Sequence, residues 1–397
     1  MLGCSRNGFV VVGAILLASG LRSISAAADS AELATAIKTV QSVGPKGAEN
    51  VAAGRAWRQL AQAAPTELTT ILAGFDGANP LAANYLSAAV ETIAERTLRA
   101  KQKLPTAALE AFLAQTEHNP AGRRLAYEWL VKADSTATER LLPMMLDDPS
   151  MELRRDAVAQ KMAAAEARLP KDKAAAGALF RTAFTAARDL DQVKALAEKL
   201  RGLGQKVDLP VHYGFIMEWK LIGPFDNTDK KGYAVEFPPE KEIDLMKSFE
   251  GKVGPVRWVD YTTADEFGVV DLNVALTKYM GATAYAYAEI DVPAERAAEV
   301  RVGSITATKA WCNGQLLFAA EAYHMAMEVD QYSGKARLHP GKNQILVKIC
   351  QNEQTDSWAQ DWKFQCRVCD KLGTAILSTD RPPTPKESTA PPAKPLQ

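Results

Sequence analysis

The feature that most restricts the fold is a switch of residue pattern near Gly202. Upstream, from Asp29 to about Lys206, Ala, Leu, Glu, Arg and Lys recur at helical spacing with almost no strand signals. Downstream of Leu209-Pro210 the runs become short and alternating: WKLIGPF, PVRWVDY, TAYAYAEIDV, EVRVGSITATKAW, NQILVKIC and WKFQCRVCD. Clusters of Gly, Pro, Asn and Asp divide them at intervals suited to an antiparallel sandwich. The expected fold is multidomain, α then β, with helices over 29–206 and a β-sandwich over 211–379. The stretch 380–397 is Pro-rich and too poor in apolar residues to pack, so it is expected to be disordered.

The helical part is punctuated. Asn79-Pro80, Asn119-Pro120 and Asp148-Pro149 each put a capping side chain directly before a proline, which fits the N-cap and first helical positions. Their spacing of roughly 30 to 40 residues is that of a helix–turn–helix repeat. Pairs of antiparallel helices are expected to begin near Ala31, Thr66, Pro105, Thr136 and Lys171, stacked as an α-solenoid. Stacking is the physical need, because no isolated helix pair buries both its faces.

In the second part the strongest local signal is Asn313-Gly314 between two apolar segments. Both residues tolerate positive φ, so a two-residue hairpin turn is expected there. After Pro340-Gly341, Ile345, Val347 and Ile349 alternate with Lys348, the pattern of a half-buried strand. Trp362 and Phe364 alternate with Lys363 and Gln365 and are expected in the core.

Arg6, an apolar run from Phe9 to about Ala18 and the small residues Ala26-Ala27-Ala28 have the layout of a secretory signal peptide over 1–28. The run is well short of the roughly 20 residues that cross a bilayer, so the mature chain is expected to be exported, periplasmic or extracellular, without stable membrane insertion. Lys plus Arg and Asp plus Glu both number 47, and this zero net charge argues against nucleic acid or an anionic membrane as partner. Cys312, Cys350, Cys366 and Cys369 all lie in the second part. Export and an even count predict at least one disulfide, joining Cys312 or Cys350 to another strand. Cys366 and Cys369 share one strand and point to opposite faces, with Cα atoms about 10 Å apart, too far to bridge. Their spacings do not suit a zinc ribbon.

Three resemblances sharpen these expectations. The segment TERLLPMMLDDPSMELRRDAVAQKM resembles a HEAT repeat, with Leu141, Leu142, Met145 and Leu146 on its first helix. The stretch ALFRTAFTAARDLDQVKALAEKLRGLG is similar to a tetratricopeptide pair. Ala310-Trp311-Cys312-Asn313-Gly314, Val329-Asp330 and the L-x-x-G-x-N-x-I-x-V run from Leu338 to Val347 resemble the galactose-binding-like jelly roll. The likeness is greatest to the sugar-binding domain of family 2 glycoside hydrolases. It implies a jelly-roll sandwich that binds glycans, binds proteins or serves as structure, and allows a structural calcium held by loop oxygens. No catalytic barrel follows the sandwich, so a non-catalytic role is expected.

No nucleophile elbow, phosphate loop or H-E-x-x-H occurs. Glycoside hydrolysis needs two carboxylates about 5 to 10 Å apart, and nothing among Asp260, Asp265, Glu266 and Asp271 marks a pair. The segment from Glu321 through His324 and Glu328 to Asp330 offers metal-ligating types, without a backbone pattern that brings them together. The loop QNEQTDSWAQD is the candidate ligand site. Trp358 would stack on a sugar ring while Gln351, Asn352, Glu353 and Asp356 take its hydroxyls. Packing of Trp358 against the sandwich edge is the competing reading. Glycan recognition, with the helices as scaffold, therefore stands beside a protein–protein scaffold with a structural sandwich, and a hydrolase comes third.

Overall fold

The computed structural model describes residues 30–383. The signal-peptide reading, and the tail from residue 384 onward, lie outside the described residues. The chain forms two compact units, Met1–Ala164 and Ala165–Gln397.

The first unit is helical: α1 (30–41), α2 (Asn50–Leu60), α3 (Leu68–Ala73), α4 (Pro80–Arg99), α5 (Thr106–Ala114), α6 (Pro120–Ala133), α7 (Ala137–Leu141) and most of α8 (Met151–Arg168). The expected caps form at two of the three sites. The Asn79 side chain accepts from the Leu81 and Ala82 amides at the start of α4, and Asn119 accepts from Ala121 at the start of α6. At the third, α8 begins only at Met151, and Asp148 has another task. Its carboxylate takes both terminal nitrogens of the buried Arg123 at 2.7 Å, while one oxygen also accepts the Ser150 amide. The first helix of the HEAT-like pair is also shorter than expected. Pro143 lacks an amide hydrogen and stops α7 at Leu141, leaving a 3-10 turn over Leu142–Met144. One apolar core collects Leu33, Leu60, Ile71, Leu86, Ile93 and Leu130 from successive helices.

The second unit holds α9 (Lys173–Ala186), α10 (Leu190–Gly202) and α11 (Leu209–Tyr213), followed by the sheets. A six-stranded antiparallel sheet runs β4 (Val259–Thr262), β1 (Glu218–Asp226), β6 (Ala282–Val292), β11 (Gly341–Gln351), β8 (Ala307–Cys312) and β9 (Gln315–Ala320). A four-stranded sheet runs β10 (Tyr332–Leu338), β7 (Arg296–Ser304), β12 (Lys363–Cys369) and β5 (Val270–Asp271). The two share a core of Trp219, Ala286, Val300, Ile345, Val347 and Phe364. The Asn313-Gly314 turn forms as expected, with φ of 50° and 77°, and joins β8 directly to β9. Trp362 and Phe364 are fully buried.

The alternation in β11 misleads on one point, since its second face is not solvated. Leu346, Lys348 and Cys350 lie beneath a covering layer that runs from Tyr233 through α12 (Pro238–Lys241) and the β2–β3 hairpin (Ser248–Gly251, Gly254–Arg257) to Trp258. Lys348 is 0% exposed and spends all three donors on that layer. Its Nζ reaches Glu240 Oε1 at 2.7 Å, the Val235 carbonyl at 2.6 Å and the Tyr233 carbonyl at 3.2 Å. Tyr285 donates its hydroxyl to the same Glu240 oxygen. Burial pulls the Lys348 pKa below its ordinary value against the opposing pull of Glu240. The other outer surface also carries charge. Arg301 and Arg367 stand opposite each other across β7 and β12, and Asp330 neutralises both at 2.5 to 2.7 Å. Burial pushes the Asp330 carboxyl up, but the two guanidiniums outweigh it and hold the group below its usual range. Arg367 also donates to the Tyr213 carbonyl at 2.9 Å, tying α11 to the sheet.

The expected disulfide is absent: Cys312, Cys350, Cys366 and Cys369 are free and buried. Register explains this. Cys312 stands opposite Ile345 and Gln315, Cys350 opposite Thr283 and Ala307, Cys366 opposite Val302 and Cys369 opposite Glu299. No cysteine meets another across a ladder. Burial raises the thiols of Cys312, Cys350 and Cys369 to about 11, and that of Cys366 further.

Two outcomes follow from this packing. Lys348→Met strands the Glu240 carboxylate and should destabilise the second unit by about 3 to 5 kcal/mol in urea unfolding. Adding Glu240→Gln, which keeps an acceptor for Tyr285, should recover most of that loss; a double variant no better than the single would remove the ion pair from the account. An aromatic disulfide reagent at pH 8 should react slowly with the native mature chain and titrate all four thiols in denaturant without reductant. A shortfall there would mean a bridge.

Candidate functional site

In the structure the expected loop is built into the sandwich. Gln351 is the last residue of β11 and is 1% exposed; its amide nitrogen donates to the Gln360 carbonyl at 2.8 Å. Its own carbonyl accepts from Asn227 Nδ2 at 2.8 Å. Asn352 is buried, and its carbonyl accepts the Gly281 amide at 3.1 Å. These two residues close the loop rather than face solvent. Glu353 is exposed but accepts the Asp229 amide at 3.0 Å, and Asp356 is exposed at the start of a 3-10 turn over Ser357–Ala359. The Trp358 side chain lies outside the described residues. Asp361 pairs with Lys363 at 3.1 Å.

The loop does not present the carboxylate set that calcium requires. Among the described residues no three His, Cys, Asp or Glu side chains gather around a common point. In the segment from Glu321 to Asp330 the reason is visible, because Asp330 is consumed by Arg301 and Arg367.

A second candidate arises where β1 and β6 part. Their ladder runs from Asp226 opposite Ala282 to Lys220 opposite Tyr287 and stops. Beyond it the chain crosses to the other sheet, where the Ile216 amide donates to the Cys366 carbonyl at 2.9 Å and Phe215 bridges Arg367. Glu289 and Ile290 of β6 are left without a β1 partner. The segment 376–383 passes along this gap: the Asp291 amide donates to Ser378 Oγ at 2.8 Å, and the Thr379 amide to the Asp291 carbonyl at 2.9 Å. Asp380 and Arg381, assigned to the tail from sequence, are thus part of the wall.

What remains is a groove of about 450 Å³. Apolar surface comes from Met217, Leu245 and Ile290, ring surface from Tyr261 and Tyr287. Lys220 pairs with Asp260 at 2.5 Å. Glu289 accepts from Lys342 at 2.7 Å and from the Tyr287 hydroxyl at 2.8 Å, and these bonds hold its carboxyl below the usual range. Arg381 donates through Nη1 to the Phe215 carbonyl at 2.9 Å. Sequence reading missed this site because its walls come from five separate stretches, around 214–220, 245, 260–262, 287–290 and 376–383.

No protein-family model matches the chain, and no curated protein does. Among solved structures it is similar to an anti-sigma factor domain-containing protein from Clostridium clariflavum, at 12% identity and a TM-score of 0.25, over 46% of this chain and 49% of that one. A GH2 beta-galacturonidase from Eisenbergiella tayi is similar at 8% identity and a TM-score of 0.21, over 38% of this chain and 25% of that one. A beta-glucosidase from Kluyveromyces marxianus gives 11% and 0.21, over 45% and 20%. The chain spans less than half the length of each. Likenesses of this order carry nothing about ligand or activity.

Proposed function

We propose that this chain is an exported, non-catalytic binding protein whose sandwich takes a glycan in the gap between β1 and β6, with the helical repeats as scaffold. The observation that carries the reading is the composition of that groove. Its volume of about 450 Å³ lies within the range of small-molecule sites, which are mostly apolar with a few placed polar groups. A sugar needs both kinds of surface: its C–H faces lie on Tyr261 and Met217, and its hydroxyls meet Lys220, Asp260, Thr262 and Ser378. Binding fits better than hydrolysis. Glu289 is engaged by Lys342 and the Tyr287 hydroxyl and Asp260 by Lys220, so neither is placed to donate a proton to a leaving group.

The test is a glycan array probed with the mature chain, followed by calorimetry on the oligosaccharides selected. Tyr261→Ala should weaken binding by about thirtyfold, roughly 2 kcal/mol. Gln351→Ala should lower the melting temperature and leave the affinity unchanged. An array without a single bound glycan would hand the function to the helices as a protein scaffold.

A further inference from the structure

Pro382 and Pro383 line the groove and are both exposed, so the chain runs on into residues 384–397 from the site itself. The sequence there is TPKESTAPPAKPLQ, with Pro391, Pro392 and Pro395 close together and Leu396 after them. Such a run has too few apolar residues to build a core, but the left-handed polyproline form costs it little ordering entropy. Proline-rich segments in that form dock in grooves walled by aromatic rings. This groove offers the rings of Tyr261 and Tyr287, with Met217, Leu245 and Ile290 as apolar surface beside them.

Charge points the same way. Glu218, Asp260, Glu289 and Asp380 line the groove against Lys220 and Arg381. Just beyond it Lys342 pairs with Glu289, while Asp208 and Glu218 both act on Arg381, so the carboxylates keep their excess. In 384–397 the balance is reversed, with Lys386 and Lys394 against Glu387. Reach does not prevent the contact. Residues 384–390 span up to about 22 Å at the polyproline rise of about 3.1 Å per residue, enough to turn back into the groove they leave. A short tether also holds its end at an effective concentration of about millimolar, so a contact too weak to persist between molecules can fill the site within one. Resting on the glycan reading of this groove, we propose that its resting occupant is the chain's own segment 391–396, folded back through 384–390, and that a sugar binds by displacing it.

Hydrogen–deuterium exchange on the full mature chain and on one ending at Pro383, both without sugar, tests this directly. The full chain should exchange severalfold more slowly in 217–220, 260–262 and 287–290, with 351–362 alike in both. Replacing Pro391→Ser together with Pro392→Ser in the full-length chain should speed exchange as truncation does; this arm holds even if the shortened chain folds poorly. A synthetic 384–397 peptide at millimolar concentration should slow the shortened chain again, and truncation should tighten severalfold the binding of a sugar selected on the array. Identical exchange in the full and shortened chains overturns the tail inference and leaves glycan binding standing. Protection that grows with protein concentration gives the groove to the tail of a second copy and overturns the fold-back. An array without a bound sugar ends the glycan reading and the displacement with it, while the sugar-free exchange still decides whether the tail is seated.

Discussion

The covering layer over the six-stranded sheet depends on one buried ammonium group. Lys348 lies in mid-strand on β11, fully enclosed, and its three hydrogen bonds end on the Glu240 carboxylate and two carbonyls of the segment above it. Removing a charge from water is tolerated only with full partnering, so wherever Lys348 is buried the segment 233–240 must be in place. Phe237, Val256 and Trp258 then close the same face over Ile222, Tyr285 and Tyr287. The polar contact sets the register of the layer, and the rings supply its buried area.

The groove inherits its shape from this arrangement. From α12 the layer continues past Leu245, which forms one wall, and Tyr287, one strand residue from Ala286 in the inter-sheet core, faces outward beneath it. On the other side β1 cannot follow β6 further, because the chain just before it is pinned to β12 through Ile216 and Phe215. The Arg367 bond to the Tyr213 carbonyl reinforces that anchor. A gap in the sheet is the geometric result, and 376–381 lines it without closing it. The site is therefore a consequence of two polar anchors on opposite faces of the sandwich.

The parts of the fold that local chemistry decides could be read from sequence. Asn313-Gly314 had to turn, Asn79 and Asn119 had to cap, and Trp362 and Phe364 had to point inward. Long-range pairing was the obstacle elsewhere. Lys348 reads as a solvent-facing strand residue, because nothing near it reveals a Glu240 more than a hundred residues away. Asp148 reads as a cap, because its true partner Arg123 sits on another helix. The cysteines read as a bridge from their number and compartment, whereas ladder register keeps each opposite a different residue type. For the candidate site, composition drew attention to Gln351, whose side-chain amide serves the loop itself, and to Asn352, whose backbone carbonyl accepts the Gly281 amide, while Arg381 was hidden in a proline-rich run.

Hydrogen–deuterium exchange with and without the oligosaccharide selected on the array locates the site without any substitution. Binding in the gap predicts slowed exchange in 216–220, 259–262, 287–291 and 376–381, with the loop 351–362 unchanged. Protection confined to 351–362, with the gap exchanging as in the free protein, would contradict the account.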